Sequence, residues 1–460
     1  MRHNVQPPPQ LGRRGFLQWS VIAGAALAVP SLGACAGGAG GAGTSATITV
    51  ANVSNPVTQD LARLAEEEFN AIDDSVQVHF SSLPETELRE RVSKDVATGS
   101  GEFDVIAIGP YEASQYSGQG WLADLRPYMD AMSAYDAGDL IPSVLDTLSE
   151  GDAVYGLPVY AESAFLMYRT DVFRERGLTM PPNPTWQEVA GLADQAKDER
   201  MAGIALRGLA GENQVPLISV IYTFGGRLFT PEWQPTFTEP ETREAINFYV
   251  DLVRSSGQRG AASAGFTQAL STFAQGDAAM FMDATVAGGS VEDDSQSRVA
   301  GQVGYVPAPH FRSPFGGWYW SWALAVPAAS RNKEAAWKFI SWATSKDYIR
   351  LSGERLGWER VPPGTRTSTY EIPEYQSAAP YADVAFEAIN GVGSDKVLKP
   401  TAPPDLPAGY FLFPQWTDVY MPMSQEIAAA IAGHQSGDEA VDKIQRATEA
   451  TMHRIGLWAG

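Results

Sequence analysis

From residue 47 onward, short apolar runs alternate with stretches whose apolar residues recur every three or four positions, the pattern of strands joined by crossover helices. Residues 48–51 read as a first strand, 76–80 as an alternating second, and 103–108 as a third that is largely apolar and closed by Gly109-Pro110. Between them, residues 56–72 predict a helix with Leu61, Leu64, Ala65 and Phe69 on one stripe, and residues 83–97 predict another. In a parallel α/β unit the loops at the carboxyl ends of the strands face the ligand. Residues 52–55, 83–85 and 109–112 fall at three such ends.

A long extended stretch over 155–168 leads into a helix-like segment around 171–175. Thr185-Trp186-Gln187-Glu188 matches a capping box, in which the threonine hydroxyl takes one orphan amide and the glutamate reaches back for another, so a helix is expected over 186–197. A strand at 202–206, a Phe224-Gly225-Gly226 turn, helices over 240–255 and 265–274, and a strand over 278–283 make a second α/β unit. Residues 318–326 are strongly β-prone. Ser330 is placed to cap a helix over 331–344 whose inner stripe is Ala335, Ala336, Phe339, Ile340 and Ala343, and 361–369 is a Pro-Gly-rich loop. Helices return at about 378 and over 423–457. No internal repeat is present. The expected fold class is α/β, with two lobes, each a mostly parallel sheet flanked by helices, joined by more than one crossing and therefore able to hinge.

The first residues follow a different pattern. An Arg13-Arg14 pair precedes an apolar run over 16–29 that Pro30 ends. This is too short for a spanning helix, which needs about 20 apolar residues, and has the layout of a signal peptide. Ser31-Leu32-Gly33-Ala34-Cys35 resembles a bacterial lipobox, and Arg13-Arg14-Gly15-Phe16-Leu17 resembles a twin-arginine export signal. Residues 1–34 are thus expected to be a signal peptide. Cys35 is the expected lipidation site, and the Gly- and Ala-rich residues 36–45 a flexible tether spanning roughly 18 Å as a random coil.

Composition narrows the partners. The 460 residues carry a formal net charge of -21, and all the N-terminal charges up to residue 34 are arginines, so the remainder is more negative still. Such a surface repels nucleic acid and anionic lipid and favours a neutral small-molecule ligand. With a single cysteine there is neither a disulfide framework nor a thiolate metal site. The five histidines, His3, His79, His310, His434 and His453, show no metal-ligand spacing, and no phosphate-binding G-x-x-x-x-G-K-[ST] run occurs. No metal or cofactor is expected.

Several motifs together resemble the sugar-binding branch of the solute-binding proteins of bacterial ABC importers. Phe273-Ala274-Gln275-Gly276-Asp277-Ala278-Ala279-Met280 is similar to that family's helix-turn-strand signature. Tyr155-Gly156-Leu157-Pro158, Tyr168-Arg169-Thr170-Asp171, Pro181-Pro182 and Thr185-Trp186 are similar to its crossing into the second lobe. Ala335-Ala336-Trp337-Lys338-Phe339-Ile340 is similar to its late helix. FDVIAIGPYE from Phe103, YAESAFLMYR from Tyr160, MDATVAG from Met282, WYWSWALAVPAAS from Trp318 and VPPGTRTSTYE from Val361 resemble the sorbitol- and mannitol-binding members in particular. The resemblance departs at 206–214, where the loop is shorter, and at 52–55, which is only loosely similar.

The resemblance implies a two-lobed periplasmic-binding-protein-like fold of type II, with lobe 1 formed by 46–159 and 318–358, and lobe 2 by 160–317 and 359–460. It implies a monomer without enzymatic activity, exported and held at the outer face of the cytoplasmic membrane or in the periplasm. Such a protein would capture a neutral linear polyol by lobe closure and deliver it to a membrane permease driven by a separate ATPase.

A polyol offers hydroxyls that each donate and accept, and burying them unpaired costs about 1–3 kcal/mol apiece. Carboxylates and guanidinium groups read adjacent hydroxyls bidentately, and aromatic faces wall the C–H groups. Loop position and the resemblance together select Asn55, Glu85, Arg89 and Tyr111 in the first lobe, and Tyr160 and Glu162 at the crossing. Arg207, Asp283, Trp320 and Arg366 are selected for the second. Glu85 and Arg89 could equally form a solvated pair at a helix start, Asp283 could cap a helix, and Trp320 could be core. In a strand, Trp318, Trp320 and Trp322 share a face that is either cleft or core. A ring sugar or short oligosaccharide is the alternative ligand. A carbohydrate-active enzyme using Glu162 and Asp283 as its carboxyl pair is the alternative of another class.

Overall fold

The computed structural model describes residues 45–314, 316–392 and 415–458. The signal peptide, Cys35 and most of the tether lie outside the described residues.

Ten strands appear among the described residues, in chain order: β1 (Ala46–Val53), β2 (Val76–Leu83), β3 (Val105–Ile108), a small hairpin of β4 (Ser149–Glu150) and β5 (Ala153–Val154), then β6 (Leu157–Glu162), β7 (Ala164–Arg169), β8 (Met280–Ala284), β9 (Val303–Pro307) and β10 (Trp320–Ala325). The first lobe is built on a five-stranded sheet in the order β2-β1-β3-β10-β6. Its β1 runs parallel to β2 and β3, as expected from the crossover helices, but β10 is antiparallel to both β3 and β6. The second lobe holds β8-β7-β9, antiparallel throughout. Parallel bridges from Ala202 and Ala205 to Ala278 and Phe281 extend its edge. Each sheet is therefore more mixed than the expected mostly parallel one. The cause is that strands carrying the chain from one lobe to the other re-enter against the local direction, and hydropathy does not encode direction.

The first crossing is abrupt. Six buried residues of β6 belong to the first sheet, Ser163 is a fully buried single-residue link, and β7 begins the second sheet. Ser163 is fixed by exchanging backbone and side-chain hydrogen bonds with Thr285, which follows β8. Tyr160 and Glu162 are thus at the end of a first-lobe strand, aimed at the junction. The chain passes between the sheets again from β9 to β10. Arg360 ties the lobes together: it donates to Asp60, which follows β1, at 2.6 and 3.0 Å, and to Asp293, which follows β8, at 3.1 Å.

Most helices lie where the periodicity predicts them. Pro56–Leu64 begins the first, with Asn55 as N-cap accepting from the Thr58 amide at 3.0 Å, and a π-turn over Ala65–Phe69 carries it on. The capping box of Thr185 opens Trp186–Ala196 as expected. Ser330 does not cap the later helix, which spans Lys333–Ala343 and starts after Asn332; its hydroxyl instead binds Asp104 at 2.7 Å. The stretch expected as one helix over 423–457 is two, Trp416–Ile431 and Gly437–Arg454, the second opened by a capping box of Ser436 and Glu439. A helix over Gln214–Thr223 was not anticipated: every residue but Val215 is buried, so it has no polar face to reveal a period.

Candidate functional site

A cavity of about 390 Å3 opens where the carboxyl ends of β1, β3 and β6 and the amino end of β10 meet the second lobe. That size falls in the usual range of small-molecule sites, roughly 300–1,000 Å3.

On the first-lobe side, Asn55 lines the cavity from its N-cap position and donates its amide Nδ2 to the Tyr160 hydroxyl at 2.9 Å. Tyr160 is 3% exposed, and burial pushes its hydroxyl pKa well up, so it stays a protonated donor. Glu85 and Arg89, one helical turn apart, are not a solvated pair: Arg89 donates to Glu85 at 2.7 and 3.1 Å, to the Tyr111 hydroxyl, and pairs with the buried Glu112. Its guanidinium lies 5.0 Å from the Tyr111 ring centre and 5.1 Å from the rings of Trp320 and Trp322, within cation–π range. Trp320 occupies its place because residue 109 is glycine: a Cβ there would sit 2.2 Å from the indole ring. Glu112 accepts from the Gly109 amide at 2.9 Å and so locks the same corner.

On the second-lobe side, Arg207 lines the cavity and Asp283 stands behind it, fully buried, accepting from its Nε at 2.9 Å. Asp283 is therefore neither a helix cap nor a wall residue; it orients the arginine that is. Arg207 also lies 5.1 Å from the centre of the Phe266 ring. Glu162, at the end of β6, is 6% exposed and lines the cavity, yet its carboxylate has no hydrogen-bond partner among the described residues. Burial raises its pKa to about 8; Arg207 opposes the rise, and Asp283 and Glu85 add to it.

Arg366 is not at the cavity. It is fully buried, and its guanidinium donates to the carbonyls of Thr344, Asp136 and Tyr135, each at 2.9 Å, while stacking on the Tyr135 ring. Its Pro-Gly loop runs along the outer edge of the first sheet, where the Ala161 amide donates to the Pro363 carbonyl at 3.0 Å. This removes Arg366 from the expected binding set: the arginine fork satisfies three orphan carbonyls where two helical turns end.

Of the further wall residues, Trp318 and Trp322 are open as cleft or core from the sequence, whereas Glu212, Phe266, Trp416 and Tyr420 carry no sequence expectation. Trp318, Trp322, Glu212, Phe266, Trp416 and Tyr420 all line the cavity. Trp318 and Trp322 are both wall and core, being 1% and 4% exposed. Glu212 accepts from the Phe266 amide at 2.7 Å, at the start of the helix Phe266–Ala274, which Gly265 allows by leaving room for the carboxylate. Trp416 and Tyr420, one turn apart on one helix, carried a usable signal in that spacing.

A family profile described as bacterial extracellular solute-binding protein matches residues 53–349. A mannitol-binding protein of Pseudomonas aeruginosa is 38% identical over 441 residues, 95% of this chain and 98% of its own length. This chain belongs to the bacterial extracellular solute-binding protein family. Among solved structures, an ABC transporter solute-binding protein from Agrobacterium vitis S4 with bound D-mannitol matches with a TM-score of 0.85 at 40% identity, over 90% of this chain and 99% of that one. One from Agrobacterium radiobacter K84 in complex with ribitol matches with a TM-score of 0.78 at 21% identity, over 88% and 98%, a likeness of fold. As a member of the family, the extracellular solute-binding protein described here has the two-lobed α/β fold, and the site lies at the junction of its lobes. No helix among the described residues is long and apolar enough to cross a membrane.

Proposed function

We propose that this solute-binding protein captures a neutral linear polyol between its lobes and hands it to the membrane permease of an ABC importer. The observation that carries the reading is the double set of held polar groups in one cavity: Arg89 locked by Glu85 and Glu112 on one wall, Arg207 locked by Asp283 on the other, with Asn55, Tyr160 and Glu162 between them. Groups fixed in this way can meet several hydroxyls without reorganising, which is how polar specificity is gained cheaply. The names of the relatives, which include mannitol and erythritol binders, point the same way.

In this reading the protein is a monomeric binder rather than an enzyme, since the acids at the cavity are engaged in orienting arginines or buried beside them. Cys35 carries the lipid that holds it at the outer face of the membrane. The lobes, 46–159 with 318–358 and 160–317 with 359–460, except that β6 through Glu162 and the loop around Arg366 stay with the first, close as bodies about the crossing near Ser163, a ligand-selected shift between open and closed states. Tryptophan faces in the wall support a ring sugar as the second reading.

A calorimetric panel of D-mannitol, D-sorbitol and D-arabitol against glucose, maltose and trehalose tests the proposal. At least one polyol is expected to bind more than tenfold tighter than every ring sugar. Heat signals from the sugars alone would reject it, and turnover of any glycan at catalytic rates would reject the binder reading altogether.

A further inference from the structure

Among the described residues, the acidic groups around the cavity outnumber the basic ones. Both guanidinium groups in its wall are already met by carboxylates, Arg207 by Asp283 and Arg89 by Glu85 and Glu112. Glu162 and Glu212 then remain, and no lysine is in the wall among the described residues. Glu212 has the Phe266 amide and the start of a helix to steady it. Glu162 has only the field of Arg207, which Asp283 already binds: more than nine-tenths buried, it lines the cavity without a hydrogen-bond partner among the described residues. A buried carboxylate left unpaired is costly, and supplying its counter-charge recovers much of that cost. A chain of net charge -21 also draws cations towards its surface.

We propose that the same cavity accepts amino-alditols, linear polyols carrying one protonated amine, with the ammonium paired to the Glu162 carboxylate and the hydroxyls held as in the neutral ligand. The inference rests on the polyol reading of the site and extends it to a second ligand class. A neutral polyol can give Glu162 only hydroxyl donors. An ammonium gives it donors and a charge together, so binding would release the proton that burial keeps on Glu162 in the empty cavity, and the charge-assisted bonds that result are roughly twice as strong as neutral ones.

The test is titration calorimetry at pH 7 with D-mannitol and D-sorbitol, their 1-amino-1-deoxy and 2-amino-2-deoxy derivatives, and the N-acetylated forms of those amines. The better amine is expected to bind at least tenfold tighter than its parent, and N-acetylation, which removes the charge, is expected to abolish the gain. In Glu162→Gln the amine-to-parent ratio should fall at least tenfold. Parent polyols that bind while the amines bind equally or more weakly overturn this inference and leave the polyol reading standing. A gain that survives N-acetylation also overturns it. Binding of neither parents nor amines overturns the polyol reading beneath it. Because the amine-to-acetylated comparison uses the unaltered protein, the outcome stands even if the Gln variant folds poorly.

Discussion

Glu162 faces water only through the cavity it lines, and its protonation should therefore be visible in the stability of the ligand-free protein. Its folded pKa of about 8 exceeds the ordinary 4.5, so between those values the folded chain holds more of a proton than the unfolded one. Stability contributed by this group is fully present below about pH 4.5 and is lost as the pH rises to about 8. A shift of this order corresponds to a few kcal/mol. Glu162→Gln has no such dependence, so its melting temperature relative to wild type should rise between pH 5 and pH 8. Parallel melting curves at all pH values would contradict the assignment. Arg366 makes a contrasting case. Arg366→Met leaves the buried carbonyls of Thr344 and Tyr135 without this donor and is expected to lower unfolding free energy by about 3–5 kcal/mol, measured by urea denaturation. Polyol affinity of the folded fraction should stay unchanged, because the guanidinium does not reach the cavity.

These two residues also mark how far single positions could be read. Both stood in motifs resembling polyol binders and both were selected as ligand-facing, but a motif shared between relatives preserves braces as faithfully as binding groups. Glu162 lies on the strand that crosses between lobes and points inward, whereas Arg366 lies one layer away on the sheet edge. Residue type does not distinguish these cases; only the pairing of Ala161 with Pro363 does. Asp283 shows an intermediate outcome, at the site but working through Arg207.

At the scale of elements, the corner formed by Gly109, Trp320 and Arg89 is the part most sensitive to a small change. Gly109→Ala places a methyl group where the indole ring now lies, an overpacking that typically costs about 1–3 kcal/mol. Displacing Trp320 also removes one face from Arg89. Polyol affinity should fall at least tenfold in calorimetry while the far-ultraviolet spectrum is retained; unchanged affinity would show that the ring is free to move without consequence. The strand ending at Gly109 was plain in the sequence, as were β1, β2 and the capped helix Trp186–Ala196, because each carries a local signature of period, cap or breaker. The helix Gln214–Thr223 was not, since burial on all sides erases the period. The antiparallel setting of β7, β8 and β9 was equally hidden, because alternation is the same in either direction. Trp416 and Tyr420 share a helix face by their one-turn spacing, but that spacing does not say which cavity the face meets.

Across the whole molecule, the lobes are joined by crossings of different kinds: the single buried residue Ser163, the segment from β9 to β10, and the Arg360 bridge between Asp60 and Asp293. The insertion of β10 between β3 and β6 has a consequence for the order in which the chain can fold. Ala323 pairs with Ile108 and Leu324 with Leu157, so the central gap of the first sheet is closed only by residues that follow the 160–317 part of the second lobe. Until they arrive, β3 and β6 each present an unpaired edge, the kind that invites pairing with another chain. Non-local pairing of this sort is slow. During refolding, hydrogen-exchange pulse labelling is expected to find the β3 and β6 amides that face β10 protected late and together with β10, after β1 and β2 have paired. Early protection of those edges would mean that the first lobe matures by itself. If the late order holds, the first lobe matures only after residues 160–317 of the second have been made, and a chaperone that shields strand edges has the longest time to act on this half of the protein.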